Sequence, residues 1–193
     1  MPRPKSFAPT DAVRAARDHF WRYGYEATSL SDLETVTKLN RSSLYQAFGT
    51  KRQLFELALE SYLGEVAWPR LAPVEQPGAG PASVAGYFTA LAAALTAAPP
   101  EIAGRGCLIV NTITELGAHD AEARAAGTAY RERIRRAFAA AFATAMPARA
   151  AARRADTTTA ALVGLLVTAR VDVAAAAAIA RAVAAEIVAE PVQ

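Results

Sequence analysis

Apolar residues recur at spacings of three and four along most of the chain, a periodicity typical of amphipathic helices. Val13, Ala16 and Phe20, for example, share one face of a helix that should begin near Thr10. Val and Ile seldom alternate with polar residues as a half-buried strand requires. The pattern therefore predicts an all-α protein with about nine helices.

Two short helices are predicted after the first. One begins at Thr28 or Ser29, and the other is capped by Asn40 and turns Leu44 and Phe48 inward. The outer face of this second short helix is polar and consists of Arg41, Ser42, Ser43, Tyr45 and Gln46. Because a slim polar helix suits the DNA major groove, the N-terminal residues are predicted to form a three-helix helix-turn-helix DNA-binding domain, residues 1–50.

A longer fourth helix is predicted from Lys51 towards Trp68. Pro69 ends it, and the Pro- and Gly-rich segment 73–81 is the clearest break in composition. Residues 51–193 are predicted to form a helical domain for ligand sensing and dimerisation.

The remaining helices are rich in Ala and are predicted near residues 84–95, 106–117, 121–145, 156–170 and 173–189. Asp156 should cap the fourth of these, and a turn containing Asp172 should precede the last. Both final helices are unusually apolar, so a second subunit is expected to cover them in a four-helix bundle. The residues expected at this homodimer interface are Leu162, Leu165, Leu166, Ala169, Ile179, Val183 and Ile187.

Positive charge is concentrated at the N-terminus. The whole chain carries a net charge of +3, whereas residues 1–54 hold nine Lys or Arg and five Asp or Glu, a local excess of +4. Such an excess suits a surface that neutralises phosphates, although a solvated helix face would look the same.

The single cysteine, Cys107, excludes an intrachain disulfide framework, and no signal peptide is expected in the N-terminal sequence. The longest run without charge, residues 76–100, is diluted by Ala, Ser and Thr and should not span a bilayer. A cytoplasmic protein without a membrane partner is expected.

The segment GYEATSLSDLETVTKLNRSSLYQAFGTKRQLF, residues 24–55, resembles the signature of the TetR family of repressors. The matching positions are Thr28, Leu44, Tyr45, Phe48 and Lys51. The resemblance implies an all-helical homodimer that binds double-stranded operator DNA and is controlled by a small-molecule inducer.

Carried over by position, Arg41, Ser42 and Ser43 would stand at the leading end of the recognition helix, with Gln46 reaching a base edge. Tyr45, Lys51 and Thr28 would contact phosphates, the last from the start of the second helix. One departure is Lys38, where the family usually has Gly; a non-Gly residue at positive φ would cost on the order of 1 kcal/mol.

A second segment, GRGCLIVNTITELG at residues 104–117, resembles a TetR subgroup in which the matching cysteine responds to electrophiles or oxidants in some members. Arg105 and a helix start at Gly106 would favour a reactive thiolate at Cys107, although a small buried core residue is the alternative. The residues expected to bind or sense a ligand are Cys107, Asn111, Thr114, Tyr62 and Phe88. Asn111 and Thr114 could equally bond to neighbouring helices.

The resemblance also implies a mechanism. Two subunits would present their recognition helices to successive major-groove turns of a palindromic operator, and ligand binding or modification of Cys107 would move the fourth helix as a lever and release DNA. Repression is the expected sign of regulation.

Other classes of protein are less well supported. His19 and His119 each lack a second ligand at metal spacing, and no Walker loop or serine elbow is present, so no catalytic site, metal or cofactor is expected. A thiol-dependent enzyme built on Cys107 and a helical adaptor without DNA binding remain as alternatives, which salt dependence and turnover would distinguish.

Overall fold

The computed structural model describes residues 8–189, which fold as two compact units, one ending at Val66 and the other beginning at Ala67. The first unit contains four helices: α1 (Pro9–Tyr23), α2 (Leu30–Thr37), α3 (Arg41–Phe48) and α4 (Lys51–Tyr62). The second contains α5 (Trp68–Leu71), α6 (Pro81–Ala97), α7 (Pro100–Ala103), α8 (Leu108–Leu116), α9 (Ala121–Phe142), α10 (Ala148–Thr168) and α11 (Val173–Ala189).

The all-α prediction is confirmed, because residues 8–189 contain helices and turns and no strand. Of the eleven α-helices in this range, α5 and α7 have four residues each and the other nine have eight or more. None of these helices is long and apolar enough to cross a membrane.

The first unit is built around a small aromatic and aliphatic core. Phe20 of α1 meets Phe55 of α4 edge to face, with ring centres 4.9 Å apart, and Leu33 of α2 is fully buried. Because α4 packs along α1, it belongs to the first compact unit, whereas the sequence prediction grouped it with the sensing domain.

The chain stays helical from Lys51 past Trp68, as predicted, but the helix is not regular throughout and Pro69 does not end it. Regular α-helix ends at Tyr62, and a π-helical turn, Leu63–Ala67, leads into α5. Pro69 supplies a physical reason, since its ring would clash with the carbonyl four residues earlier, at Glu65, in a regular helix. Arg14 and Arg17 of α1 hold the Glu65 carboxylate, with N–O distances of 3.0 and 2.8 Å.

The second unit is packed through Ala and aromatic residues. Helix α11 lies along α6, and α9 packs against α10 and α8. Phe138 of α9 is fully buried against Tyr87 and Phe88 of α6, with ring centres 5.7 and 5.9 Å away. Small residues let helices approach closely; a Cβ atom at the buried Gly127 would overlap the side chain of Ile113.

Helix α10 begins eight residues before the predicted start. Asp156 lies in its middle and is exposed, so its predicted capping role was wrong. The run Ala148–Ala155 is rich in strong helix formers, and Pro147 precedes it, so the helix extends back to the proline. Asp172 lies in the turn before α11, as predicted, and its carboxylate accepts the Ala175 N–H at 2.9 Å.

Candidate nucleic-acid interface

Side-chain caps define the turn between α2 and α3. Ser29 and Asp32 form a reciprocal capping box at the start of α2, and Asn40 accepts the Ser43 N–H at 2.9 Å at the start of α3. Between them, Lys38 is the left-handed residue with φ of 59°, which confirms the strained turn expected where Gly is usual. The Glu34 carboxylate accepts the backbone N–H of Arg41 and so ties α2 to α3.

Helix α3 has two distinct faces. Leu44 and Phe48 are buried and anchor it to the first unit. Arg41, Ser42, Tyr45 and Gln46 are exposed, as predicted for a reading face, whereas Ser43 is half-buried. Tyr45 is 47% exposed, a large fraction for an aromatic residue. A tyrosine exposed in this way is accessible to a macromolecular partner such as DNA.

Thr28 does not take the surface position expected of it. It is only 1% exposed, and its hydroxyl donates to the Gly24 carbonyl at 2.6 Å. The neighbouring Ser29, not Thr28, caps α2. Thr28 therefore stabilises the turn after α1, and its hydroxyl is turned away from the solvent.

Lys51 packs over the ring of Tyr25, a residue to which the sequence analysis assigned no role in DNA binding. Its Nζ atom lies 4.4 Å from the centre of the Tyr25 ring, and that ring packs 4.8 Å from the ring of Phe55. Lys51 and Tyr45 also border the same hydrophobic hollow of about 10 Å³ between α3 and α4. Tyr45 and Lys51, the two side chains predicted to contact phosphates, thus lie on the border of one small surface depression.

Two titratable groups modify the charge of this unit. Hydrogen bonds from the Ser29 side chain and backbone lower the pKa of Asp32, so the acid stays ionised at neutral pH. Burial lowers the pKa of His19, which therefore adds no positive charge at neutral pH. Positive charge on this unit comes from its Lys and Arg side chains.

Cys107 lies in the core of the second unit and is fully buried. Its thiol donates to the Tyr130 hydroxyl at 3.6 Å. Gly106, at φ of 67°, lets the chain enter this position against the Leu166 carbonyl, where a Cβ atom would have no room. The guanidinium of Arg105 reaches the Glu101 carbonyl at 3.3 Å. Tyr130 is a neighbour that the sequence did not indicate.

The other predicted ligand residues make contacts of their own within the fold. The buried Asn111 donates its amide to the Arg105 carbonyl at 2.9 Å, and Thr114 is exposed. Phe88 belongs to the aromatic core with Phe138. Tyr62 lies in the first unit, against Trp21. Asn111 and Phe88 therefore have structural contacts in the second unit, and their predicted ligand role stays a prediction.

The predicted homodimer residues are mostly buried within a single chain. Leu162, Leu165, Leu166, Ala169 and Ile187 are each at most 6% exposed, because α10 and α11 pack against α9 and α6. Those five residues are thus buried without a partner subunit, and their place at a homodimer interface stays a prediction. Ile179 is exposed and Val183 is half-buried.

Within residues 8–189, no three His, Cys, Asp or Glu side chains are grouped as a metal site requires.

Comparison with known proteins supports a relationship to transcription regulators. A family model described as bacterial regulatory proteins, tetR family, matches residues 12–58, which span most of the first unit. The uncharacterized HTH-type transcriptional regulator YezE of Bacillus subtilis (strain 168) is 37% identical over 122 residues, 63% of this chain and 61% of the relative. The HTH-type transcriptional repressor ComR of Escherichia coli (strain K12) is 34% identical over 115 residues, 59% of this chain. The chain thus spans 61% of YezE and 53% of ComR.

Solved structures extend the likeness to both units. A cysteine mutant of the TetR family transcriptional regulator CifR, complexed with 26bp double-strand operator DNA, matches with a TM-score of 0.78 and 27% identity over 98% of this chain and 100% of that one. A TetR transcriptional regulator from Chloroflexus aurantiacus J-10-FL, 24% identical over 94% of each chain, shares the fold with a TM-score of 0.76. Both are described as transcriptional regulators.

Proposed function

We propose that this protein is a ligand-responsive repressor. The premise is a TetR-family transcriptional regulator, which the family model and the structural neighbours support. It binds a palindromic operator as a homodimer and is released by a small-molecule inducer or by modification of Cys107. The observation that carries the proposal is the exposed polar face of α3, with Tyr45 beside Lys51.

The DNA contacts follow from what each side chain offers. Arg41, Ser42 and Gln46 are exposed donors on α3 and would read base edges in the major groove. Tyr45 and Lys51 would contact phosphates, which fixes the register of the helix. Tyr25 would hold the Lys51 ammonium in place from below. Thr28 contributes through the turn that it stabilises.

The homodimer would form through the outer faces of α10 and α11. Val167 and Ile179 are exposed there, at 43% and 37%, and Gly164 has open space around it. Each subunit would then place one α3 helix in successive major-groove turns, roughly 34 Å apart. Val167→Arg should yield monomers in sedimentation velocity, whereas Ile102→Arg, at a residue of α7 that is 44% exposed, should leave the dimer intact. A dimer of Val167→Arg would reject this interface.

The signal would reach the DNA-binding unit through α4 and the π-helical turn Leu63–Ala67, where the chain passes between the units. Hydrogen bonds from Arg14 and Arg17 outweigh partial desolvation and lower the pKa of Glu65, so its carboxylate stays ionised and attached to α1. A movement of this turn is thereby imposed on α1.

Cys107 would respond to electrophiles only when the second unit opens, because the thiol is fully buried. Addition of N-ethylmaleimide should release the operator from the native protein but not from Cys107→Ser. Alkylation of Cys107 without release of DNA would exclude this route and leave inducer binding alone.

The decisive experiment is selection of genomic DNA fragments by the purified protein at two salt concentrations. We expect recovery of one palindromic sequence, with affinity that falls steeply as salt rises. Tyr45→Ala should weaken binding about tenfold or more, the cost of one lost charge-assisted contact. Tyr23→Ala is the matched control, since Tyr23 is 52% exposed but lies on α1. Recovery of no preferred sequence would contradict the proposed function.

A further inference from the structure

A surface cleft of about 550 Å³ lies within the second unit, between the segment that follows α5 and the outer face of α9. Its volume falls in the range of small-molecule binding sites. All its lining residues belong to the second unit, between Val74 and Thr144. None of them is among the residues that the sequence indicated for ligand binding.

The cleft combines a small apolar floor with polar edges. The floor is lined by Val74, Ala137, Ala140 and Ala141, whose short side chains leave room for an apolar group. The edges carry Gln76, Thr144 and two arginines, Arg133 and Arg136. This is the composition expected of a site for an amphipathic molecule.

The two arginines differ in how far their charge is neutralised. Arg133 donates to both carboxylate oxygens of Glu75 at 2.8 Å, and its guanidinium lies 4.1 Å from the centre of the Trp68 ring. The hydrogen bonds from Arg133 lower the pKa of Glu75, so this pair stays charged and closed at neutral pH.

Arg136 is much less engaged. Its closest ion pair is with Glu132 at 3.9 Å, and both oxygens of that carboxylate already accept hydrogen bonds from Arg135 at 2.9 Å. The Arg136 side chain is 69% exposed. The cleft therefore presents one guanidinium whose positive charge is poorly compensated.

We propose that this cleft binds an amphipathic monocarboxylate, with its carboxylate on Arg136 and its apolar body on the alanine floor. Charge selects the class of ligand: one available guanidinium matches one negative charge, because the other arginine of the cleft, Arg133, is already paired with Glu75. A neutral analogue would forgo the charge-assisted hydrogen bonds.

This site does not require operator binding, but a role for its ligand as the inducer rests on the proposed function. Binding is therefore measured first, without DNA, by ligand-observed NMR with benzoate and octanoate as probes. Benzamide and octanamide serve as their neutral counterparts. We expect at least one carboxylate to bind with a Kd of about 1 mM or lower, and its amide to bind about tenfold more weakly.

Two variants locate the site. Arg136→Gln should weaken carboxylate binding about tenfold, whereas Arg131→Gln, an exposed arginine of α9 outside the cleft, should not. Ala140→Leu should block the floor while leaving Arg136 in place. Circular dichroism checks that each variant is folded. Absence of carboxylate binding, or equal binding to the Arg136→Gln variant, would overturn the proposal.

Operator release by the same carboxylates is then measured separately. If carboxylate binding depends on Arg136 but DNA is not released, the cleft is a carboxylate-binding site whose ligand is not the inducer. If no operator is found at all, the NMR result still decides whether the cleft is a binding site.

Discussion

The two units are stabilised at their helix ends in different ways. In the first, Ser29, Asn40 and Thr50 each accept a backbone N–H at the start of α2, α3 and α4. In the second, Asp120 and Asp172 cap α9 and α11, but the three helices α6, α8 and α10 begin without a side-chain cap and are held by the packing of buried apolar residues. Polar caps are visible in a sequence, whereas packing partners are not.

That difference explains where sequence reasoning succeeded. The caps placed the starts of α3 and α4 correctly, and the polar face of α3 followed from the inward positions of Leu44 and Phe48. In the second unit, Asp156 resembled a cap, yet the Ala-rich helix simply continues through it. Periodicity likewise showed that Leu162 and Leu165 are buried, but could not show that the same chain buries them.

The candidate site shows the same limit. The ring of Tyr25 lies under Lys51 although the two residues are 26 positions apart, and no local pattern encodes such a contact. Thr28 was assigned to a phosphate because of its place in the motif. Its short hydrogen bond to Gly24 becomes evident only when the turn is folded.

The largest effect is expected from the packing of the second unit. Phe138→Ala removes a fully buried ring from contact with Tyr87 and Phe88, and should lower the free energy of unfolding by about 4 kcal/mol. Urea denaturation followed by circular dichroism measures this loss. A loss below about 1 kcal/mol would show that the packing of Phe138 contributes little to stability, and would contradict the view that packing holds the second unit together.

A smaller effect should separate a real cap from an apparent one. Asp120 accepts the Ala123 N–H at 2.8 Å, so Asp120→Ala should cost about 1 kcal/mol. Asp156→Ala is the matched control and should change the free energy of unfolding by only a few tenths of a kcal/mol, because this residue is exposed within α10. Equal losses of stability in the two variants would show that the Asp120 cap contributes no more than the exposed Asp156, and would contradict the assignment of Asp120 as a stabilising cap.

In the first unit, relief of backbone strain should be measurable. Lys38→Gly removes the Cβ from a left-handed position, and should raise the free energy of unfolding by about 0.5 kcal/mol after the added entropy of the unfolded chain is counted. Thermal unfolding provides the measurement. Destabilisation by this substitution would show that the Lys38 side chain contributes more than its strain costs.

The smallest effect concerns the Glu75–Arg133 ion pair, which is partly exposed. Glu75→Gln should cost about 0.3 kcal/mol at neutral pH. Because the folded protein lowers the pKa of Glu75, the contribution is present above the ordinary glutamate pKa and is lost as the pH falls below it. The difference in unfolding free energy between the native protein and the variant should therefore shrink and disappear at acid pH, as Glu75 is protonated below its lowered pKa. A difference that persists there would point to packing against Trp68 as its source.

The close approach of α8 to α9 at Gly127 also constrains how this protein can evolve. Any larger side chain at position 127 would occupy the space that Ile113 fills, so neither residue can change freely alone. Across descendants of this sequence, the two positions should vary as a pair, with a gain of volume at one matched by a loss at the other. A mutational library that randomises both positions together should recover folded combinations that single-site libraries miss.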